Sequence, residues 1–389
     1  MDLSKAFDMV EWTELFGQLR IRKVDPIFLR LLISMYKNQL CDVKWGNEHS
    51  SKFPVKNGVR QGAVSSPILF SVYIDDLIIQ LRQSGLGCAV GNIFMGCFGY
   101  ADDLLLLSAS RSGLQAMVNT CHEFASLKNL KFSTNSDPEK SKTKCLVFSK
   151  RQHERQNVAP IMLNGDPLPW VTTVKHLGNI LECSNTMKED CSAKRGKFVG
   201  KINTLGQEFY FASPEVKVKI LNIYATSFYG SGLWDLFGHD CEGFYTAWNR
   251  AIRQIFDLPW TSHRYWIEVV SDCLHPKVML CSRYVKFYKS LTSSRKSSVR
   301  FLSKLKEQDL RTVLGKTLSR IQQECGAASL QELNPNFVKE HMRYAKVPED
   351  EQWKAGLLKE LLLASGRVLT MENLEPAEIK MMIDHLCTG

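Results

Sequence analysis

The sequence predicts an α+β fold: antiparallel strands with helices on one face, followed by a purely helical region. Three observations carry this reading. Short apolar runs before residue 182 come in pairs split by turn residues, as β-hairpins do. Helical spacing interleaves with those pairs, and frequent hairpins favour an antiparallel layer over a doubly wound one. Beyond about residue 185 the strand signals fade and only helical spacing persists. The expected divisions are 1–182, 183–290 and 291–389.

The opening stretch, Asp2-Leu3-Ser4-Lys5-Ala6-Phe7-Asp8, leads into a helical pattern at Val10, Leu15, Phe16 and Leu19, with Ser4 as the expected N-cap. Asp2 would stand at a strand end with only Met1 to build the strand, which reads as a loose terminal residue. A second amphipathic helix is expected from Pro26 to Tyr36, then a hairpin over 41–55 turning at Gly46-Asn47. Gly58 to Pro67 is a loop bounded by glycines and Ser-Ser-Pro. Pro67 suits a first helical turn with Ser66 as cap, and the helix runs to Arg82. Arg60 and Gln61, polar groups at a helix start, are placed to receive phosphate or base.

The chain is organised around Phe94 to Leu107, where two apolar runs flank Tyr100-Ala101-Asp102-Asp103. Each run suits a buried strand and is too short for a typical helix. The simplest reading is a hairpin with two acids at its tip. Adjacent carboxylates repel and resist desolvation, so a cation is expected there, and hard oxygen ligands suit Mg²⁺. Ser110 to Leu130 then reads as a helix, Phe132 as a short strand, and Cys145 to Phe148 as a buried strand after a lysine-rich segment. Residues 151–160 read as a linker. Hairpins are expected at 161–166 and 174–181, with Gly178 inside the latter.

In the helical region Lys194, Lys197 and Lys201 share one helical face and Phe198, Ile202 and Leu205 another, so the lysines could track a phosphate backbone. Long helices are expected over 214–234 and 244–256. Trp260, Tyr265 and Trp266 read as core. A Ser-rich break at 293–298 interrupts a basic stretch, and short helices separated by Pro335, Pro348 and Pro376 follow.

Composition sets bounds on function. The chain has 389 residues, 44% of them hydrophobic, enough for large cores without staples. Its twelve cysteines include no Cys-x-x-Cys pair, so a zinc knuckle is unsupported, and free thiols are expected. No signal peptide and no apolar run of membrane-spanning length is evident. Residues 151–300 hold 20 Lys and Arg against 13 Asp and Glu, a surplus of 7 within the net +10. A basic segment beside an acidic site is the pattern of an enzyme working on nucleic acid.

Four stretches in fixed order resemble the polymerase motifs of reverse transcriptases, with wording similar to that of non-LTR (LINE-type) retrotransposons. They are Asp2 to Asp8, Arg60-Gln61-Gly62 through Ser65 to Pro67, Tyr100 to Asp103, and Ser141-Lys142-Thr143-Lys144. Leu177-Gly178 resembles the family's primer-grip hairpin, and the block from Ala193 its helical thumb. The resemblance covers roughly residues 1–270 and implies a polymerase palm and thumb. It implies that Asp2, Asp102 and Asp103 hold two Mg²⁺ ions, with Mn²⁺ as a substitute. It makes Phe7 a steric gate against ribose. Arg60, Gln61, Gly62, Ser65 and Tyr100 would lie at the incoming nucleotide and template. Lys144 or Lys142 would donate a proton to pyrophosphate. Gly178, Lys194, Lys197 and Lys201 would contact the duplex. The implied partners are an RNA template, a DNA primer and deoxynucleoside triphosphates, and the implied location is intracellular and nuclear. Nothing but Met1 precedes the first motif, so a chain lacking the family's fingers, with weak or no activity alone, is expected. The alternative is a non-catalytic nucleic-acid-binding remnant or domesticated module.

Overall fold

A computed structural model describes residues 1–342 except 136, 138, 150, 152–157, 261–266, 269–270 and 272. The chain divides into two compact units, Met1–Val174 and a second from Lys175 onward.

The first unit is built on helices α1 (Trp12–Ile21), α2 (Pro26–Lys37), α3 (Ser66–Gln83) and α4 (Arg111–Leu127). α3 buries Leu69, Phe70, Tyr73, Ile74, Leu77 and Leu81, a stripe at spacings of three and four. Each such side chain contributes about 1.5–3 kcal/mol by leaving water. The stripe's first half joins Leu3, Val10, Leu15 and Leu19 in one core, and its second half joins Leu104, Met117, Cys121 and Phe124 in another. Asp25 caps α2 by accepting from Ile27 and Phe28 N, and Ser110 caps α4 by accepting from Gly113 N.

Two expected caps are displaced. α1 starts at Trp12 rather than after Ser4, because Lys5 takes φ +49 and residues 4–9 form turns that bury Ala6. Ser65, not Ser66, stands at the start of α3; the Ser66 hydroxyl donates to Arg60 O and ties the glycine loop down.

The α+β class holds, with short strands in place of a continuous sheet. Among the described residues every ladder is two-stranded. In chain order the pairs are β1 (Leu40–Cys41) with β4 (Phe53–Pro54), β2 (Lys44–Trp45) with β3 (Glu48–His49), and β5 (Ala89–Val90) with β6 (Ile93–Phe94). They continue with β7 (Cys97–Tyr100) and β8 (Asp103–Leu106), then β10 (Ile161–Leu163) and β11 (Asp166–Leu168). β9 (Cys145–Leu146) pairs with β12 (Trp170–Val171) in parallel, an exception within the expected antiparallel pairing. The strand expected to reach Phe148 stops at Leu146, and Phe148 is 49% exposed.

The division between units falls within β13 (Thr173–His176), which forms a hairpin with β14 (Asn179–Glu182). The second unit continues with α5 (Lys188–Glu208), α6 (Pro214–Ile220), α7 (His239–Ile255), α8 (Pro276–Thr292), α9 (Ser297–Glu307), α10 (Val313–Cys325) and α11 (Pro335–His341). Phe198, Phe228, Trp234, Phe244 and Trp248 form an aromatic centre in its core. The helix expected over 214–234 is cut short. α6 passes into a π-turn at Leu221–Ala225 and ends, with the Arg283 guanidinium donating to Thr226 O at 2.6 Å and Ser227 O at 3.1 Å. Trp260, expected in the core, is 86% exposed. Tyr265, Trp266, Pro348 and Pro376 lie outside the described residues.

One buried carboxylate ties the hairpin to the helices. Asp190, 2% exposed, accepts from Ile180 N at 2.9 Å through Oδ1. Through Oδ2 it accepts from Lys194 Nζ at 2.8 Å and the Trp234 indole at 2.7 Å. Replacing Asp190 with Ala leaves an ammonium and an indole N–H without their acceptor. Asp190→Ala is expected to cost about 3–5 kcal/mol in urea unfolding followed by tryptophan fluorescence; a loss below about 1 kcal/mol would show that the network is dispensable.

Candidate active site

The β7–β8 register pairs Cys97 with Leu106 and Tyr100 with Asp103, leaving Ala101-Asp102 as a two-residue turn. Ala101 has φ +53, a left-handed conformation that costs a residue with a Cβ about 1–2 kcal/mol. On the other edge of β8 the first residues add a third strand. Asp2 bridges Asp103, and Leu104 N donates to Met1 O at 2.9 Å. Leu3 bridges Phe132, and Ser133 N donates to Asp2 O at 2.8 Å. The reading of Asp2 as a loose terminal residue is thus overturned: its neighbours are long-range strand partners that sequence order conceals.

This register sets Tyr100, Asp103 and Asp2 in one row across three strands, and residues opposed in this way have Cβ atoms about 4.5–5.5 Å apart. Asp102 completes the acidic group from the turn. Burial first, then the charges of Asp2 and Asp103, push the Asp102 carboxyl above its ordinary range, while Lys142 pulls it back. Tyr100 is 67% exposed at the tip.

The lysine-rich segment is anchored by two residues that sequence reasoning passed over. Thr143 is fully buried; its N–H donates to Ser133 O at 3.1 Å and its Oγ1 accepts from Asp2 N at 3.3 Å. Ser141, also buried, donates to Thr143 O at 2.7 Å. Lys142 Nζ thereby stands 3.5 Å from Asp2 Oδ2. Lys144 Nζ instead donates to Glu139 O at 3.3 Å. The alternation of Ser, Lys, Thr and Lys hinted at an inward Thr143, but no sequence signal separated the two lysines.

A second group surrounds the glycine loop. Val59 N donates to Phe7 O at 2.7 Å, and Gly58 lies so close to Asp8 and Phe7 that a Cβ would meet their backbone at 3.0–3.1 Å. The Phe7 ring, half-buried, stacks on Phe70 at 5.0 Å. Gln61 Nε2 donates to Asp8 Oδ1 at 3.2 Å, a partner the sequence reading did not foresee. Arg60 donates from Nε and Nη2 to the Gln39 side-chain oxygen at 3.0 and 2.8 Å, with the Gln39 amide oriented to satisfy both groups. Gly62, at φ +86, and Ser65 are exposed just before α3.

In the second unit Leu177 and Gly178 both take positive φ, +46 and +78, the two-residue turn that matches strand twist. A Cβ on Gly178 would meet the Tyr229 ring at 3.1 Å. The lysine stripe is uneven. Lys194 is 14% exposed and held by Asp190 and Asn179, Lys197 is exposed, and Lys201 Nζ donates to Tyr224 O at 2.6 Å.

The three acids suit a hard divalent cation in charge and donor type. Asp2 Oδ2 is buried without a hydrogen-bond partner, as a ligand oxygen would be. Among the described residues, however, no three His, Cys, Asp or Glu side chains converge into a ready-made metal cluster. None of the described helices is long and apolar enough to cross a membrane.

Residues 1–181 match the family described as reverse transcriptase (RNA-dependent DNA polymerase). The chain is 31% identical over 135 residues to the Pol polyprotein of type-2 retrotransposable element R2DM from Drosophila melanogaster, a match covering 35% of this chain and 13% of that protein. It is 24% identical over 183 residues to an R2 Pol polyprotein from Popillia japonica, covering 46% of this chain and 29% of that one. It is 25% identical over 246 residues to the RNA-directed DNA polymerase of mobile element jockey from Drosophila funebris, covering 59% of this chain and 25% of that one. The chain therefore spans under a third of the length of these curated relatives.

Because the folded state raises the Asp102 pKa, it binds that proton more tightly than the unfolded chain does, and stability falls as pH rises through that range. Asp102→Asn is accordingly expected to stabilise the fold at neutral pH by a few tenths of a kcal/mol, given solvent screening of a partly exposed group. The gain should vanish below the ordinary Asp range. Urea midpoints at neutral and acid pH check this, and a gain that grows towards acid would reverse the assignment.

Proposed function

We propose a chemistry for residues 1–181, which are a reverse transcriptase domain of the non-LTR retrotransposon kind: RNA-templated transfer of a deoxynucleotide to a primer 3′-hydroxyl. The observation that carries this reading is the row of Asp2 and Asp103 across paired strands, with Asp102 at the adjoining turn.

In the reaction the primer 3′-oxygen bonds to the α-phosphorus and the bond to pyrophosphate breaks. Asp2, Asp102 and Asp103 would hold the Mg²⁺ ions. Bound there, the ions would supply Lewis acidity to the attacking and departing oxygens. The ribbon's part is orientation: strand pairing fixes Asp2 against Asp103, and buried Thr143 fixes the backbone of Asp2. Lys142, beside Asp2, would deliver a proton to the departing pyrophosphate; Lys144 is turned to Glu139 and is the weaker candidate. Phe7, braced on Phe70, would exclude a ribose 2′-hydroxyl. Gln61, held by Asp8, would meet the nucleotide and template. Gly178 at the hairpin turn, with Lys197 and Lys201, would contact the primer duplex.

A second reading, a nucleic-acid-binding module without catalysis, is favoured by the exposed Lys197 on α5, which needs no metal to meet a phosphate backbone. The two readings separate in one set of variants. In Mg²⁺-dependent extension of a DNA primer on RNA, Asp102→Asn and Asp103→Asn should each lower the rate by about a thousandfold, while salt-dependent duplex binding persists. Lys142→Gln should cost about 10²–10⁴-fold and Lys144→Gln only a few-fold. Equal losses at the two lysines would overturn the assignment of Lys142. Duplex binding without any extension by the unaltered chain would favour the binding module.

A further inference from the structure

Three exposed tyrosines of the second unit each stand beside a lysine. Tyr210, in the turn after α5, is 76% exposed, and Lys217 Nζ donates to its carbonyl at 3.1 Å. Tyr224, in the π-turn, is 58% exposed, with Lys201 Nζ 4.6 Å from its ring centre. Tyr229 is 62% exposed, with Lys194 Nζ 5.8 Å from its ring centre. Lys194 and Lys201 are seven residues apart on α5 and so share a face. Lys217 and Tyr224 are also seven apart along α6 and its π-turn. The Tyr229 and Tyr224 pairs thus follow one another along α5, against which the π-turn packs, and Tyr210 lies just past its C-terminal end. Solvent-facing rings this large need a reason, and π-turns occur frequently at functional sites. Glu208 and Glu215 lie near the Tyr210 end, so the lysine surplus is greatest from Lys217 to Lys194.

We infer that this edge binds single-stranded nucleic acid, with Tyr210, Tyr224 and Tyr229 as stacking platforms for bases and Lys201 and Lys217 meeting the phosphates, while Lys194 stays with Asp190. Charge complementarity selects the occupant: aromatic faces interleaved with lysines match a strand whose bases are free to stack, whereas a duplex keeps its bases stacked inside. The edge needs none of the acids at 2, 102 and 103 but shares Lys201 with the proposed duplex contact, so the tyrosine variants, and not the lysine ones, separate this inference from the polymerase reading.

The test is fluorescence anisotropy of the full chain with a labelled oligouridylate of about 16 nucleotides, against a blunt duplex of the same length. Each Tyr→Ala replacement should weaken single-strand binding by about fivefold or more, and the triple replacement by about a hundredfold. The triple Tyr→Phe variant, which keeps the rings, should stay within about twofold of the unaltered protein. The slope of log affinity against log salt should be unchanged by the tyrosine variants and reduced by Lys201→Gln and Lys217→Gln. Because the tyrosines are exposed, circular dichroism should be unaltered. Three outcomes would each overturn the inference. These are no single-strand binding by the unaltered chain, equal binding by the triple Ala variant, and duplex binding that is tighter and equally sensitive to the tyrosines.

Discussion

The first unit is arranged around an unfavourable contact. Asp2 and Asp103 oppose each other across an antiparallel pair, where like charges destabilise, and Asp102 adds a third carboxyl from the turn. Such an arrangement persists only if the surrounding structure over-determines it. Leu3 and Leu104, neighbours of those acids in sequence, are buried in cores that α3 joins. Met1 and Leu104 exchange backbone hydrogen bonds, and Thr143 holds Asp2 from below. Apolar burial on one side of the ribbon therefore stabilises the crowding of charge on the other. The left-handed Ala101 at its tip fits the same pattern of local strain held in place by packing.

The second unit solves an opposite problem. Its acid, Asp190, is satisfied by three donors and anchors rather than repels. That contact explains why the lysine stripe is not uniform. Lys194 is spent on holding Asn179 and Asp190 behind the hairpin, while Lys197 and Lys201 remain at the surface. The Leu177-Gly178 turn lies against Tyr229 so closely that a side chain at 178 would collide with that ring.

Much of this was legible in the sequence, for identifiable reasons. α3, the β7–β8 hairpin and the Phe198, Ile202 and Leu205 face of α5 follow from periodicity, which local sequence carries directly. The motifs at 2, 60–67, 100–103 and 141–144 carried the resemblance to the family whose description residues 1–181 match. What stayed hidden depends on contacts distant in the chain. The placement of Asp2 needs Asp103 and Ser133, the choice between Lys142 and Lys144 needs buried Thr143, and the role of Lys194 needs Trp234. The helix expected over 214–234 failed because Arg283, nearly sixty residues on, accommodates its early end. The antiparallel pairing was legible, but the shortness of the strands was not: runs of two to four residues are broken by turns such as Gly91.

Charge counting at the ribbon decides what kind of ion it can accept. Three carboxylates share this end of the ribbon with Lys142, which is 69% exposed and so weakened by water, and with the partly buried Met1 ammonium near Asp103 and Asp2. The acids still outnumber these cations when all three are ionised. A monovalent counterion atmosphere acts over about 8 Å at physiological salt, and screens a partly buried group less than an exposed one. Burial accordingly shifts the balance from diffuse screening towards a cation in direct contact with oxygen. Burial first, and the neighbouring acids second, raise the Asp102 carboxyl, so a proton is held there more readily than on a free carboxylate. A proton neutralises one charge only and blocks an oxygen in doing so, whereas a small divalent ion neutralises two and keeps several oxygens as ligands. The proposed binding of a hard divalent cation rests on this excess of carboxylate charge at the ribbon, a feature of the folded chain itself.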